Sequence, residues 1–388
     1  MLPVVAGLLL LLGAVTIPVH LILRRWGRVE KIRAPASRFF ASTAGSVDRM
    51  VLLRFFAAGC QAASVLITWP VWQTRRYPPL LPAAPVPQLD FGLLVLGSLV
   101  LVLAVPRVGI WIHFATLALA FVADQTRLQP EFLSLALILV ATGLPRLGPF
   151  VGRTHLITLW IWAGMHKVLS VGFMTDSAYW IYDGLPIDIP PIRPFVGWLI
   201  AGSEVGTGLL MLVRSLRRAG VGVALAMHGM MLLVLSPWGH DWNESVWPWN
   251  FALGIAAALL FWPWEDGVSQ KDDAVQTRSR PEKRIKIAVA AVAALYPLGF
   301  YFGVTDAYLA HHLYSDAIAR AFCEPESCRS ASFGDTWEAF DVYIPPEPRL
   351  YKQYFLSRCT PGESLTIIPR QTKILIGRNS EIATLKCS

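Results

Sequence analysis

Charge is what this sequence has least of. Asp, Glu, Lys and Arg make up 15% of its 388 residues, against roughly 25% in soluble domains. That deficit excludes an ordinary, fully solvated globular surface. Recognisable chemical signatures are missing too. There is no P-loop, no G-x-G-x-x-G after a strand, no H-E-x-x-H, no G-x-S-x-G with a His partner and no C-x-x-C-H. Nothing therefore points to nucleotide, zinc or covalent haem chemistry, and no metal is expected. An inverted repeat is not evident, which counts against a transporter. Cysteine is almost absent from the first 300 residues: Cys60 stands alone in an apolar run and reads as a small packing residue.

Hydrophobic residues fill the space that charge leaves, at 54% of the chain with 15 Trp. Apolar runs of about 17–22 residues, broken by short polar turns, are long enough to cross a bilayer as helices. They lack the period-two alternation of a barrel. The sequence thus predicts an all-α polytopic membrane bundle of about ten transmembrane helices, followed by a small C-terminal exoplasmic domain containing β-structure. Expected spans are 2–23, 50–72, 91–105, 109–123, 131–144, 154–171, 194–213, 219–235, 248–262 and 285–304. Several middle ones are short, so a merged or re-entrant pair remains open. The Pro-rich stretch 77–87 reads as an extended connector. The domain division is an anchor with a basic loop (1–49), the transmembrane bundle (50–304) and the exoplasmic domain (305–388).

The formal net charge of +8 is concentrated in particular loops, chiefly 24–49, 214–218 and 271–286. The opposite loops hold only Arg75, Arg76, Arg127 and Arg193. This asymmetry speaks for membrane orientation rather than for nucleic acid. The first span has no basic residue before it and a basic block after it, the reverse of a cleavable signal. The expectation is an uncleaved anchor, both termini exoplasmic, in a bacterial plasma membrane with lipid as its first partner.

Residues 305–388 differ in composition. Short alternating runs at 340–344, 365–368 and 373–376 suggest strands. Cys323, Cys328, Cys359 and Cys387 lie here, an even set on the oxidising side that reads as two disulfides with three pairings open. The spacing of Cys323 and Cys328 favours a local bridge. Structural staples fit this spacing better than redox chemistry does.

One stretch carries two ionisable side chains inside an apolar run: Trp160-Ile161-Trp162-Ala163-Gly164-Met165-His166-Lys167-Val168-Leu169. An ionisable group at the centre of a membrane helix costs ~2.5–3.5 kcal/mol on insertion scales, so such residues usually face a bundle interior. The alternative is that Lys167 snorkels to the headgroups. Adjacent residues diverge by about 100°, so His166 and Lys167 border one cavity only if it is wide. The small pair Ala163 and Gly164 allows close approach of a helix or a flat ligand. Glu204, among glycines in the next span, is the simplest partner for Lys167, whether for chemistry or as a structural ion pair. His228 lies mid-span among methionines, and His113 in Trp111-Ile112-His113-Phe114. An outer loop runs into Trp247-Pro248-Trp249-Asn250; tryptophans there fit an aromatic belt, whereas Asn250 does not. A base in a Trp-lined apolar pocket suits a membrane-soluble substrate. Lys167 is the candidate base, with His166, Glu204 and His228 as proton partners. His113, Trp162, Trp247, Trp249 and Asn250 are the candidate substrate contacts.

The run Ala163-Gly164-Met165-His166-Lys167-Val168-Leu169 resembles the A-G-[LVM]-x-K-L motif of the vitamin K-dependent γ-carboxylase-like transmembrane (HTTM) family. Other matches are the loop 124–130, Glu204, the His228 span, the Trp247-Pro248-Trp249-Asn250 run and Leu313-Tyr314-Ser315, together covering about residues 50–320. DoxX-like membrane proteins share the A-G-x-x-K and Glu pattern. The first resemblance implies a lysine base, Lys167, that deprotonates a vitamin K-like reduced quinone, whose oxidation drives carboxylation of a second substrate. The position before it, usually lysine in animal carboxylases, is His166 here. Residues 305–388 are short for a propeptide- and glutamate-binding region, so an exoplasmic protein or peptide partner is open and processive carboxylation is not implied. The DoxX-like alternative implies a non-catalytic subunit of a periplasmic redox system; a small-solute transporter is the third reading.

These expectations place 305–388 outside. Protease added to sealed cells or vesicles from the exoplasmic side should cleave there, and reducing agent should slow that fragment on a gel. Cleavage from the cytoplasmic side would overturn the orientation.

Overall fold

The structure, a computed structural model, describes residues 48–144, 147–186, 188–262, 280–324, 334–368 and 382–387. The expected span at 2–23, the run at 373–376 and Cys328 lie outside them. Helices dominate. In chain order they are α1 (Arg49–Ile67), α2 (Phe91–Ala104), α3 (Pro106–Ala123), α4 (Pro130–Gly143), α5 (Gly148–Val168), α6 (Ala178–Asp183), α7 (Val196–Leu212), α8 (Arg217–Leu235), α9 (Trp247–Phe261) and α10 (Arg280–Leu295). Their starts follow local chemistry. Asp48 caps α1 by accepting from the Met50 amide at 2.9 Å. Proline opens α3, α4 and α9, where its missing N–H is not needed.

The described chain is mostly helical, with helices whose length and apolarity suggest a membrane protein. Among the described residues five helical stretches are long and apolar enough to cross a bilayer: Arg49–Ile67, Pro106–Ala123, Pro190–Leu212, Arg214–Leu235 and Pro281–Phe302. Gly148–Val168 followed by Phe173–Asp183, bent by 93° at the break, is a sixth if the pair is one span. The expectation of about ten is thus met only in part. α2 and α4 have 14 residues each, about 21 Å at 1.5 Å per residue, against a hydrocarbon core of ~30 Å. α9 is also short, with 15 residues, yet ten of them are buried. It is apolar on all sides and sits inside the bundle.

α5 is the central element. It packs against α4, α7, α9 and α10, and Leu156, Leu159 and Trp160 join Leu253, Leu260 and Phe261 of α9 in the main core. The seam with α7 is tight because it lacks side chains. A Cβ on Gly164 would lie 2.5 Å from the Ala201 carbonyl oxygen and 2.7 Å from Val205 Cγ2; one on Gly208 would lie 2.9 Å from the Ile157 oxygen. The close approach expected at Ala163 and Gly164 is therefore present.

After α10 a 3₁₀ stretch, Tyr296–Phe302, ends at Gly303 with φ 72°, a left-handed turn that glycine makes without strain. The following segment, 305–316, folds back against the bundle. Beyond it, β1 (Arg320–Glu324), β2 (Ser364–Ile368) and β3 (Ala383–Lys386) form an antiparallel sheet in the order β1-β2-β3, with Cys323 opposite Leu365 and Leu365 opposite Leu385. Helix α11 (Gly334–Phe340) precedes α12 (Pro348–Leu356), which packs Leu350, Tyr354 and Phe355 on Leu365 and Ile367. The strand expected at 365–368 is present. The one at 340–344 is not: Phe340, Val342 and Ile344 are buried alternately, but against the bundle and α12, and Asp341 at φ 57° interrupts any ladder. Cys359–Cys387 is a disulfide, and Cys323 is disulfide-bonded as well. Cys60 is free and buried. Glu347 Oε1 accepts the Ala307 amide at 2.7 Å, and Arg349 holds the Asp306 carboxylate with two hydrogen bonds of 2.6 and 2.8 Å.

Gly164→Ala should lower the melting temperature, since overpacking costs about 1–3 kcal/mol. Gly202→Ala, where a Cβ meets nothing within 4 Å, should leave it unchanged or raised; equal effects would refute the seam.

Candidate functional site

A cavity of about 240 Å³ lies among α4, α5, α7, α8, α9 and the returning segment. Its walls follow helical periodicity. α4 contributes Pro130, Leu133, Ser134 and Leu137, and α5 contributes His155, Leu159, Ala163 and Lys167 at steps of four, with Trp160. α9 adds Trp249, Asn250 and Leu253, while Tyr308, Leu309, His311, Leu313 and Tyr314 close it from the returning segment. Most of this surface is apolar.

The charge at its edge is paired. Lys167 Nζ lies 2.9 and 2.8 Å from Glu204 Oε1 and Oε2, with side chains only 4% and 16% exposed. The ammonium also donates to the Leu313 carbonyl at 3.3 Å and lies 5.6 Å from the Phe173 ring centroid. Removing either partner from such a pair is costly, about 3–5 kcal/mol, because the other charge stays buried alone.

His166 points elsewhere, as the 100° offset demands. Its Nε2 faces the Ala310 carbonyl at 2.7 Å. A carbonyl only accepts, so Nε2 donates, and in the neutral ring Nδ1 accepts from the Tyr301 hydroxyl at 2.6 Å. The ring stacks on His312 at 3.4 Å between centroids and on Trp162 at 5.3 Å. His166 thus clamps the returning segment, outside the cavity wall.

His228 is fixed by the same logic. An indole N–H only donates, so Trp160 Nε1 donates to His228 Nε2 at 3.0 Å, and Nδ1 carries the proton and donates to Asn250 Oδ1 at 3.0 Å. Asn250 Nδ2 then donates to the Val246 carbonyl at 3.1 Å. His228 is a neutral, doubly bonded ring in the cavity wall.

Of the residues singled out from sequence, Lys167, Glu204, His228, Trp249 and Asn250 meet at the cavity. His166, His113, Trp162 and Trp247 do not line it. His113 Nδ1 donates to Ser98, whose own hydrogen goes to the Val95 carbonyl, between α2 and α3. Trp162 donates to the Ala294 carbonyl and Trp247 to the Trp242 carbonyl. Trp249 differs: its indole N–H is buried and has no hydrogen-bond partner among the described residues.

Two groups escaped the sequence reading. His155, bonded to Ser134 at 2.8 Å, has its ring 5.7 Å from that of His311. The four-residue spacing from His155 to Lys167 was a usable signal. His311 was not findable locally, because a left-handed backbone (φ 66°) in the returning segment presents it. Tyr314 (φ 53°) accepts from Asn243 at 2.8 Å. Glu131, in the first turn of α4, is 1% exposed and neither carboxyl oxygen has a hydrogen-bond partner among the described residues. Near the C-terminal domain, burial pushes the Asp341 carboxyl up to about 6, opposed by the Ser245 amide that donates to it. Among the described residues no cluster of three or more His, Cys, Asp or Glu could hold a metal ion.

Fold and site together give a helical bundle with several helices long and apolar enough to cross a bilayer, and an ion pair buried beside an apolar cavity. No protein-family model, curated protein or solved structure matches the chain.

His228→Ala strands the Trp160 N–H and the Asn250 oxygen, each worth about 1–3 kcal/mol when unsatisfied. In a double-mutant cycle with Trp160→Phe, the stability losses should sum to more than the double variant shows. Strict additivity would remove the proposed bond.

Proposed function

We propose that this protein is a membrane enzyme in which Lys167 acts as a base on a reduced quinone, as the resemblance to γ-carboxylase-like membrane proteins implies. The observation that supports it is the Lys167 and Glu204 pair set in the wall of an apolar cavity. A quinol bound there supplies two acidic hydroxyls and reducing equivalents. The residues present fit such a molecule: apolar walls, Trp160 and Trp249 among them, and one ion pair at the edge.

Lys167 works as a base once Nζ passes a proton along its hydrogen bond to Glu204 Oε1, 2.9 Å away, which frees its lone pair for the ligand hydroxyl. The carboxyl then holds the proton. Asn250 and His228, each bonded on both sides, orient the wall rather than carry protons. His166 acts at one remove by holding the segment that covers the cavity. Oxidation or carboxylation of a second substrate would follow on the side carrying residues 305–388.

One observation favours a second reading, a non-catalytic subunit of the DoxX-like kind. Lys167 and His166 both bond carbonyls of the returning segment, which a purely structural clamp would also do.

Quinol binding and oxygen-dependent quinol oxidation by purified protein, with melting temperature followed in parallel, separate the two. Lys167→Gln should melt earlier, because Glu204 loses its partner, but stay folded at the assay temperature and lose roughly 10²–10⁴-fold in turnover, the usual worth of a general base. If the wild type binds no quinol and Lys167→Gln and Glu204→Gln both melt early, the charges are structural and the enzyme reading falls.

A further inference from the structure

The cavity also reaches the outer face of the bundle, between α7 and α8. Toward one end this seam is closed: a Cβ on Gly220 would meet Leu210 Cβ and Met211 Sδ at 3.1 Å. Toward the other it parts. Ser203 of α7 and Ala226 and Met230 of α8 line the cavity, yet Ala226 is exposed and Met230 is 48% exposed on the outside. Gly202 and Gly206 of α7 and Gly222 and Gly229 of α8 leave open space beside the two helices: a Cβ on any of them would meet nothing within 4 Å.

Both helices belong to stretches long and apolar enough to cross a bilayer, so what faces the gap is hydrocarbon. Its walls match. They are apolar apart from Ser203, whose hydroxyl is spent on the Ile200 carbonyl at 2.8 Å. Methionine at the rim adapts to a chain of variable shape. Inward, the slot ends at Glu204 with its Lys167 partner, and Trp249 lines the same cavity.

We propose that the gap between α7 and α8 is a lateral portal and binding slot for a single hydrocarbon chain, belonging to an amphiphile whose oxygen-bearing head lies at Lys167, Glu204 and Trp249. The nature of the head rests on the quinol reading; the slot for the chain does not. The ligand arrives from the bilayer rather than from water, and its tail stays between the two helices while the head is held.

The test uses the full chain in phosphatidylcholine nanodiscs. Hexadecanol carrying a diazirine near its chain end is photolysed, and labelled residues are mapped. Met227 and Met230 should be labelled about tenfold above Val292, an exposed α10 residue that reports ordinary lipid contact. Ala226→Trp and, independently, Met230→Trp should bring that labelling down to the Val292 level without lowering the melting temperature. Labelling equal to that of Val292, or insensitive to both substitutions, overturns the slot. In a second arm, the affinity ratio of a long-tailed to a tail-less benzoquinol should fall about tenfold in both variants, as expected when roughly two methylenes lose apolar contact. If no quinol binds the wild type but labelling behaves as stated, the head assignment fails and the slot stands.

Discussion

A positive charge taken into the bundle must be answered on the spot, and Lys167 sets that demand for this protein. Its compensation comes from two directions. Glu204 arrives on α7, and the Leu313 carbonyl arrives on a segment far along the chain. Glu204 would not reach Nζ if α5 and α7 stood at an ordinary separation. The missing side chain at Gly164 brings them together. The tight seam, the ion pair and the fold-back are therefore one arrangement: each makes sense only with the others in place.

The neighbouring residue shows how a helix divides labour. His166 and Lys167 differ by one position and hence by about 100°. That rotation sends one side chain into a stack of aromatic rings under the returning segment and the other to the cavity edge. Both bind carbonyls of the same segment, at Ala310 and Leu313. A loop fastened at two points three residues apart has little freedom to slide. This lets it hold left-handed residues at His311 and Tyr314, conformations that persist only where the surroundings over-determine them.

Much of this was legible in the sequence where a local rule applied. A buried lysine needs a carboxylate, and Glu204 among glycines was the nearest in kind. Two small residues predicted a close seam. A lone Asn at the head of an apolar helix invited a polar partner and found His228. Other features were hidden because their cause is not local. Phe340, Val342 and Ile344 alternate as a strand would, but the alternation fits a groove rather than a ladder. α12 carries an amphipathic pattern at Leu350, Tyr351, Tyr354 and Phe355 that a period count would have caught. Several expected spans fall on helices of 14 or 15 residues, because a helix buried among helices is as apolar as one facing lipid. Composition cannot tell them apart; length can. His166 is next to Lys167 in sequence but lies outside the cavity wall, because one residue turns a helix by about 100°.

The contacts of Glu347 and Arg349 with Ala307 and Asp306 give the C-terminal domain a meaning beyond that of an appendage. They grip the first residues of the same segment whose later residues roof the cavity. The domain is in effect a keystone: it sits outside the vault and keeps the span beneath it from falling open. Anything that seats against α12 thus touches the roof of the cavity through two side chains, without entering the bundle at all.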